Sequence, residues 1–342
     1  MTALPQREPL EALAAAMPKI DLHYHLEGGV RAETLSAITG DPDTEAIRRK
    51  LTVSPDCASL SEFLGKFDYI SPLLQSPRAL RLAARAAVQE AAEQNLCYLE
   101  VRFAPAYLAT AEMDVEAAIA AVTEGLREGS RDFGVPAAAI VSLGLTTPVE
   151  ANLDIVRAAL PWLGKGVTAI DAAGPEAEIP LETQAPALRL AQGLGFPLTL
   201  HAGEAAPPAS IARAVELGAV RIGHGTSLWR DGALMERLAR EKIGLEMCPT
   251  SNLQTKAIAS WGEYHIREYF EAGVPLTICT DDPAISGITL TGEYLLTMSV
   301  LGFAPAEMEQ VVLGGVEMSF APPALKETLR AKVRAGFAAL SL

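Results

Sequence analysis

Apolar positions along this chain gather into short unbroken runs instead of alternating strictly with polar ones. Eight such runs stand out: Ile20–His25, Cys97–Phe103, Ala139–Leu145, Val167–Ala172, Pro197–Ala202, Val220–His224, Ile243–Cys248 and Leu276–Thr280. They are rich in Val, Ile and Leu, as strands covered on both faces are. Between them lie segments of helical character, among them Arg78–Gln94, Val115–Phe133, Leu181–Leu194, Asp231–Glu241 and Glu263–Ala272. Gly or Pro punctuates many of the joins. Eight strands alternating with helices predict an α/β protein of the TIM-type (β/α)8 barrel kind. The competing architecture is an open doubly wound sheet. Its dinucleotide-binding form has no support, because no GxGxxG follows the first strand. Two stretches exceed a minimal barrel. Residues 26–76 read as a helical lid inserted after the first strand, over the C-terminal face. Residues 288–342 read as a helical C-terminal tail packed below or beside the barrel, with Tyr294, Met298 and Met308 as packing residues. No repeat or linker divides residues 1–342, so a single domain is expected.

Composition narrows the partners. The formal net charge of −14 argues against a nucleic-acid backbone or an anionic membrane, but not against a neutral small molecule. No stretch reaches the ~18 apolar residues of a membrane span, and the start of the chain lacks the pattern of a signal peptide. Cys57, Cys97, Cys248 and Cys279 lie far apart with no CxxC pair. A disulfide framework and a thiolate metal site are therefore not expected, and a cytoplasmic setting is.

The chemistry concentrates at strand ends. Of five histidines, His23, His25, His201 and His224 each fall at the C-terminal end of a predicted strand, where barrel enzymes place catalytic groups. His23 and His25 are two apart on one strand and so share a face. His201 offers a third imidazole. Glu204 follows it by three residues, in a loop free to aim it back; its bland reading is a first-turn helix carboxylate. His224 sits between two glycines, and its bland reading is a buried histidine bonded to a carbonyl. Asp281 and Asp282 are adjacent carboxylates before Pro283, a repulsive pair unless a cation lies near; their bland reading is an Asx turn. Three imidazoles and a carboxylate make a nitrogen–oxygen donor set. It suits zinc, one ion per chain, though iron, manganese and cobalt accept the same donors. Glu204 and His224 add the acid and base that hydrolysis requires. His265, in a polar helical stretch, reads as solvent-facing or structural.

The stretches Pro18–Leu35 (PKIDLHYHLEGGVRAETL), Phe63–Ile70, Tyr98–Pro105, His201–Glu204 (HAGE), Arg221–Leu228, Cys248–Asn252 and Thr280–Pro283 (TDDP) follow one another in an order that resembles the adenosine deaminase family of amidohydrolases. The resemblance implies His23, His25, His201 and Asp281 as metal ligands, Glu204 as proton donor to a purine ring, and His224 as the group that positions the attacking water. It implies His25, Glu27, Asp282 and the N–H of Gly174 as substrate contacts, with Asp282 accepting a hydrogen bond, and residues 58–70 as a mobile lid. The implied reaction is hydrolytic removal of ammonia from a 6-aminopurine nucleoside, adenosine or deoxyadenosine. Two residues depart from the family pattern. Glu27 stands where aspartate is commoner, and Pro175 where an acidic residue often follows the glycine. Adenine and modified adenosines such as aminodeoxyfutalosine are therefore kept as alternatives. A binuclear hydrolase of amides or esters is a further one, with Asp171 as a weak bridging candidate and Lys165 badly placed to bridge. A non-catalytic binding protein on the same scaffold predicts missing motif members, and none is missing. The HxE and PCxxC pattern of cytidine deaminases is absent.

Overall fold

The computed structural model describes residues 7–54, 57 and 60–340. Every apolar run becomes a strand: β1 (Lys19–His25), β2 (Leu96–Phe103), β3 (Ala137–Gly144), β4 (Val167–Ala173), β5 (Leu198–Ala202), β6 (Ala219–His224), β7 (Gly244–Met247) and β8 (Leu276–Ile278). Each pairs in parallel with the next, in chain order, within one sheet. The two ends of that sheet meet just past β8. The His25 N–H donates to the Asp281 carbonyl at 2.8 Å, and the Asp281 N–H donates to the His23 carbonyl at 2.7 Å. This is the (β/α)8 barrel expected.

Parallel strands need a crossover between them, and helices supply it. Pro77–Glu93 and Val115–Phe133 are the longest of the outer layer on this side. Ser76 and Asp114 cap them, each side-chain oxygen accepting a first-turn N–H. Their inward faces are built from small residues such as Ala83, Ala84, Ala87, Ala118 and Ala121, which let the helices lie close to each other and to the strands. Two predicted helices differ. Leu181–Leu194 divides into a 3-10 turn (Leu181–Gln184) and a helix (Ala185–Gly193), because Pro186 has no N–H to continue the first turn and is accepted only where a helix starts. Glu263–Ala272 shortens to Ile266–Glu271, since Tyr264 is extended and turns its hydroxyl inward to Asn252.

The lid covers one end, and the tail packs beside the barrel and beneath it. Helices Leu26–Gly29, Ala32–Thr39, Thr44–Leu51, Leu60–Leu64 and Phe67–Ile70 cover the C-terminal mouth. Of the expected lid segment, residues 58 and 59 lie outside the described residues. The tail helices Leu290–Ser299, Pro305–Met318 and Pro323–Ala339 pack with Tyr294, Met298 and Met308 buried. Phe320 seals the floor, its ring 4.1 Å from the Arg221 guanidinium and its N–H donating to Glu100 at 2.6 Å. No described helix is long and apolar enough to cross a membrane. All four cysteines are buried.

Candidate active site

Strand alternation turns His23 and His25 to the same side of β1, and the closing seam sets Asp281 beside them. The Nε2 atoms of His23 and His25 lie 3.2 and 3.3 Å from Asp281 Oδ1. His201, from β5, brings its Nε2 to 3.3 Å from that of His25. His224, the last residue of β6, has its ring 4.8 Å from that of His23. Donor atoms of His23, His201, His224 and Asp281 all fall within 4.8 Å of one another, the one such cluster among the described residues. That tightest group contains His224 in place of His25, yet His25 is 3.3 Å from two of its members. The four expected ligands and the expected base thus converge on one spot.

The donor set fits a divalent cation. His23 Nε2 is buried with no hydrogen-bond partner, although it lies so close to the Asp281 carboxylate. The opposite ring nitrogens are held. His23 Nδ1 meets Glu246 at 2.6 Å and His201 Nδ1 meets Asp171 at 3.0 Å. A carboxylate at Nδ1 keeps the proton there and turns the Nε2 lone pair to the centre. Asp281 Oδ2 accepts from Ser251 Oγ at 2.6 Å, which leaves Oδ1 facing inward.

Behind these side chains lies a fully buried ionic network. Arg102 donates to Glu246 at 2.6 Å, to Asp171 at 3.3 Å and to the Leu22 carbonyl at 2.9 Å. Arg221 binds both Glu246 and Glu100, and Thr199 donates to Glu246. Burial alone pushes a carboxyl up, but the Arg102 and Arg221 guanidinium groups hold Glu246 well below its usual range. His201 and Arg102 do the same for Asp171. Asp171 is thereby committed to His201, Arg102 and Ser142 (2.9 Å), so it backs the His201 ring and has no oxygen left to bridge two ions. Lys165 is exposed at the far end of β4.

Glu204 leaves β5 in a loop that precedes the helix Pro208–Glu216, so it is not a first-turn residue. Its Oε2 is 3.6 Å from His224 Nε2, and its Oε1 accepts from Thr255 at 2.9 Å. Burial, reinforced by the charges of Asp281 and Glu176, pushes its pKa up to about 8. His224 Nδ1 faces the Asn252 amide at 3.0 Å, whose oxygen accepts from Tyr264. With Asn252 donating, His224 presents Nε2–H to the site. Burial depresses its pKa, so the ring is neutral.

A cavity of about 620 Å³ opens beside His25 and is lined by that residue, Glu27, Phe67, Asp68 and Gly174 among others. Glu27 is buried, accepts from the Ala104 N–H at 2.9 Å and is pushed up to about 7 by burial. Asp282 is buried with Oδ1 unpartnered, and burial plus the charges of Asp281, Glu27 and Glu204 carry it well above the usual carboxylate range. Its side chain makes no cap bond, so the turn reading of Asp-Pro fails. A Cβ on Gly28 would stand 1.7 Å from Asp282 Oδ1, so only glycine lets that carboxyl into the site. His265 lies apart, stacked on Trp229 with ring centroids 4.4 Å apart and bonded to Glu268 at 2.8 Å.

Sequence reading missed Glu246, Arg102 and Arg221, and gave Ser251 and Asn252 no role. A signal existed for the first three, since charged residues inside otherwise apolar strands are rarely buried without partners.

A (β/α)8 barrel whose mouth gathers imidazoles, a carboxylate and a buried acid defines a hydrolytic enzyme with a metal site. The family model for adenosine deaminase matches residues 18–336. The chain belongs to the adenosine deaminase family. An adenosine deaminase from Lacticaseibacillus casei (strain BL23) is 36% identical over 328 residues, spanning 94% of this chain and 97% of the relative. Among solved structures, a zinc-bound amidohydrolase from Burkholderia ambifaria superposes with a TM-score of 0.88 at 26% identity, covering 99% of this chain and 96% of its own. The Arabidopsis N6-mAMP deaminase gives 0.83 at 28% identity, covering 95% and 99%.

Proposed function

We propose that this protein hydrolyses the 6-amino group of a purine nucleoside, adenosine or deoxyadenosine, releasing ammonia and the 6-oxo nucleoside. The observation that carries this reading is a carboxylic acid, Glu204, kept protonated by burial beside His224 and the imidazole–carboxylate cluster. Attack at ring carbon 6 breaks aromaticity only if the neighbouring ring nitrogen gains a proton, and Glu204 is the group that donates it. His224 directs Nε2–H at the attacking oxygen and holds it in line. His23, His25, His201 and Asp281 hold one divalent cation. Zinc suits these donors, and it supplies Lewis-acid activation of the attacking water when bound.

Substrate contacts come from the cavity lining and from Asp282. The free ring nitrogens of an N9-substituted purine carry no hydrogen, so an Asp282 carboxyl paired with one of them is the donor, where the sequence suggested an acceptor. The Gly174 N–H donates to another. Glu27 accepts from a ribose hydroxyl on a longer stem than aspartate has. Beside Glu27, the ribose contact, the cavity lining carries Asp68 and no Lys or Arg, so a 5′-phosphate on that side finds no counter-charge; Arg230 and Lys256 line the separate cavity at Glu204. This favours a nucleoside over a nucleotide. The chain acts as one domain, and its buried cysteines suit a reducing cytoplasm.

Ammonia release from the purified zinc-loaded protein tests the reading, measured on adenosine, deoxyadenosine, adenine, AMP and aminodeoxyfutalosine. Fastest release from adenosine or deoxyadenosine, with AMP poor, is expected. Release from none of the five, with metal bound, discards the proposal.

A further inference from the structure

The acid of this site stands on a loop with no regular secondary structure; Thr226 Oγ1 donates to its Gly203 carbonyl at 2.8 Å, and a single carboxylate gathers its N–H groups. Glu176 Oε2 accepts from the Gly203 N–H at 2.9 Å and from Ser210 Oγ at 2.9 Å. Its Oε1 accepts from the Glu204 N–H at 2.5 Å and the Ala205 N–H at 2.6 Å. Three consecutive main-chain N–H groups thus converge on one carboxylate, the concave arrangement that suits an anion. Gly203 makes the turn possible with φ +70°, a conformation that other residues adopt at a cost.

Glu176 is also tied to the cavity. Its own N–H donates to the Gly174 carbonyl at 2.8 Å, and the Pro175 carbonyl accepts from the N–H groups of Glu178 and Ile179. Gly174 and Pro175 line the cavity. One tight turn therefore presents a wall of the cavity and carries the clamp on the acid. The sequence departs from the family pattern at Pro175, and the acidic side chain one residue later is the one that reaches the β5 loop.

We infer that Glu176 is a positioning residue, setting where Glu204 stands relative to the purine ring; this rests on the proposed function. Thr255 fixes the Glu204 carboxyl group, Thr226 holds the carbonyls of the main chain that bears it, and Glu176 holds its N–H groups. Glu176 touches neither the reacting atoms nor the clustered histidines.

Glu176→Gln tests this, because it keeps the size of the side chain but turns an NH2 group toward N–H donors. kcat for adenosine should fall on the order of 10²-fold, as a displacement of about 1 Å at a reacting group does. KM should stay within about twofold. Metal content and melting temperature should match wild type. Glu176→Asp, with both oxygens retained on a shorter stem, should restore part of kcat. An unchanged kcat, a rise in KM alone, or loss of metal together with activity overturns the assignment. Should E176Q fold poorly, Ser210→Ala removes one donor from the same carboxylate. It should lower kcat a few-fold at constant KM, and an unchanged kcat there also overturns the role. A wild-type protein inert on every 6-aminopurine defeats the proposed function, and this inference with it. An active wild type with an unaltered E176Q defeats this inference alone.

Discussion

His224 and Asp281 both stand in left-handed backbone, each at φ +64°, without being glycine. Such a residue costs about 1–2 kcal/mol relative to the right-handed form. The surroundings override that cost in the two residues that aim a nitrogen and an oxygen at the same point, which is where stored strain is expected. At this scale the acid makes the sharpest prediction. Glu204 has its pKa raised to about 8, so its working form is the protonated one, present below that pH and lost above it. The pH profile of kcat/KM for the wild type should therefore be level near neutrality and decline about tenfold per pH unit beyond about 8. Glu204→Gln should cut kcat by about 10²-fold or more, keep its metal near wild-type content and lose the alkaline limb. Turnover retained in that variant discards the proton-donor role.

Among the elements, strands were the most legible from sequence. A short run such as Val167–Ala172, bounded by Gly and rich in β-branched residues, reads as a strand covered on both faces, and β4 runs from Val167 to Ala173. The four strand-end histidines were legible for the same reason, since a strand's end fixes the end of the barrel. What crosses the barrel was not legible. Glu246 on β7 supports His23 on β1 through space that exists only once the sheet closes, and no spacing along the chain encodes that neighbour. The lid was legible as a helical excursion, but the bounds of its individual helices were not, because their short turns carry no sustained period. The interior network yields its own test. Arg102→Leu leaves Asp171 and Glu246 without their shared guanidinium in a site with no solvent access. Breaking such a pair should cost about 3–5 kcal/mol in denaturant unfolding. Metal affinity should drop roughly 10–100-fold, as when groups orienting metal ligands are lost. Wild-type values in both titrations would show that the network is not what orients the histidines.

For the whole molecule, cation and fold should be linked. A cation that binds the folded chain and not the unfolded one stabilises it by about 4 kcal/mol at 1,000 times its dissociation constant. Chelation should abolish ammonia release and lower the melting temperature together, and zinc should restore both. His201→Ala should show neither response and hold no stoichiometric metal. If that variant binds a full equivalent, the ligand assignment is wrong.

The seam between β1 and Asp281 has a consequence for synthesis. Asp21 and Thr280 touch across 259 residues of chain. A polypeptide still leaving the ribosome can have seven strands and every imidazole of the cluster made, yet hold no carboxylate to complete the cage. The ring closes and the donor cluster gains its carboxylate in one step, so nascent or partly assembled forms are expected to release no ammonia.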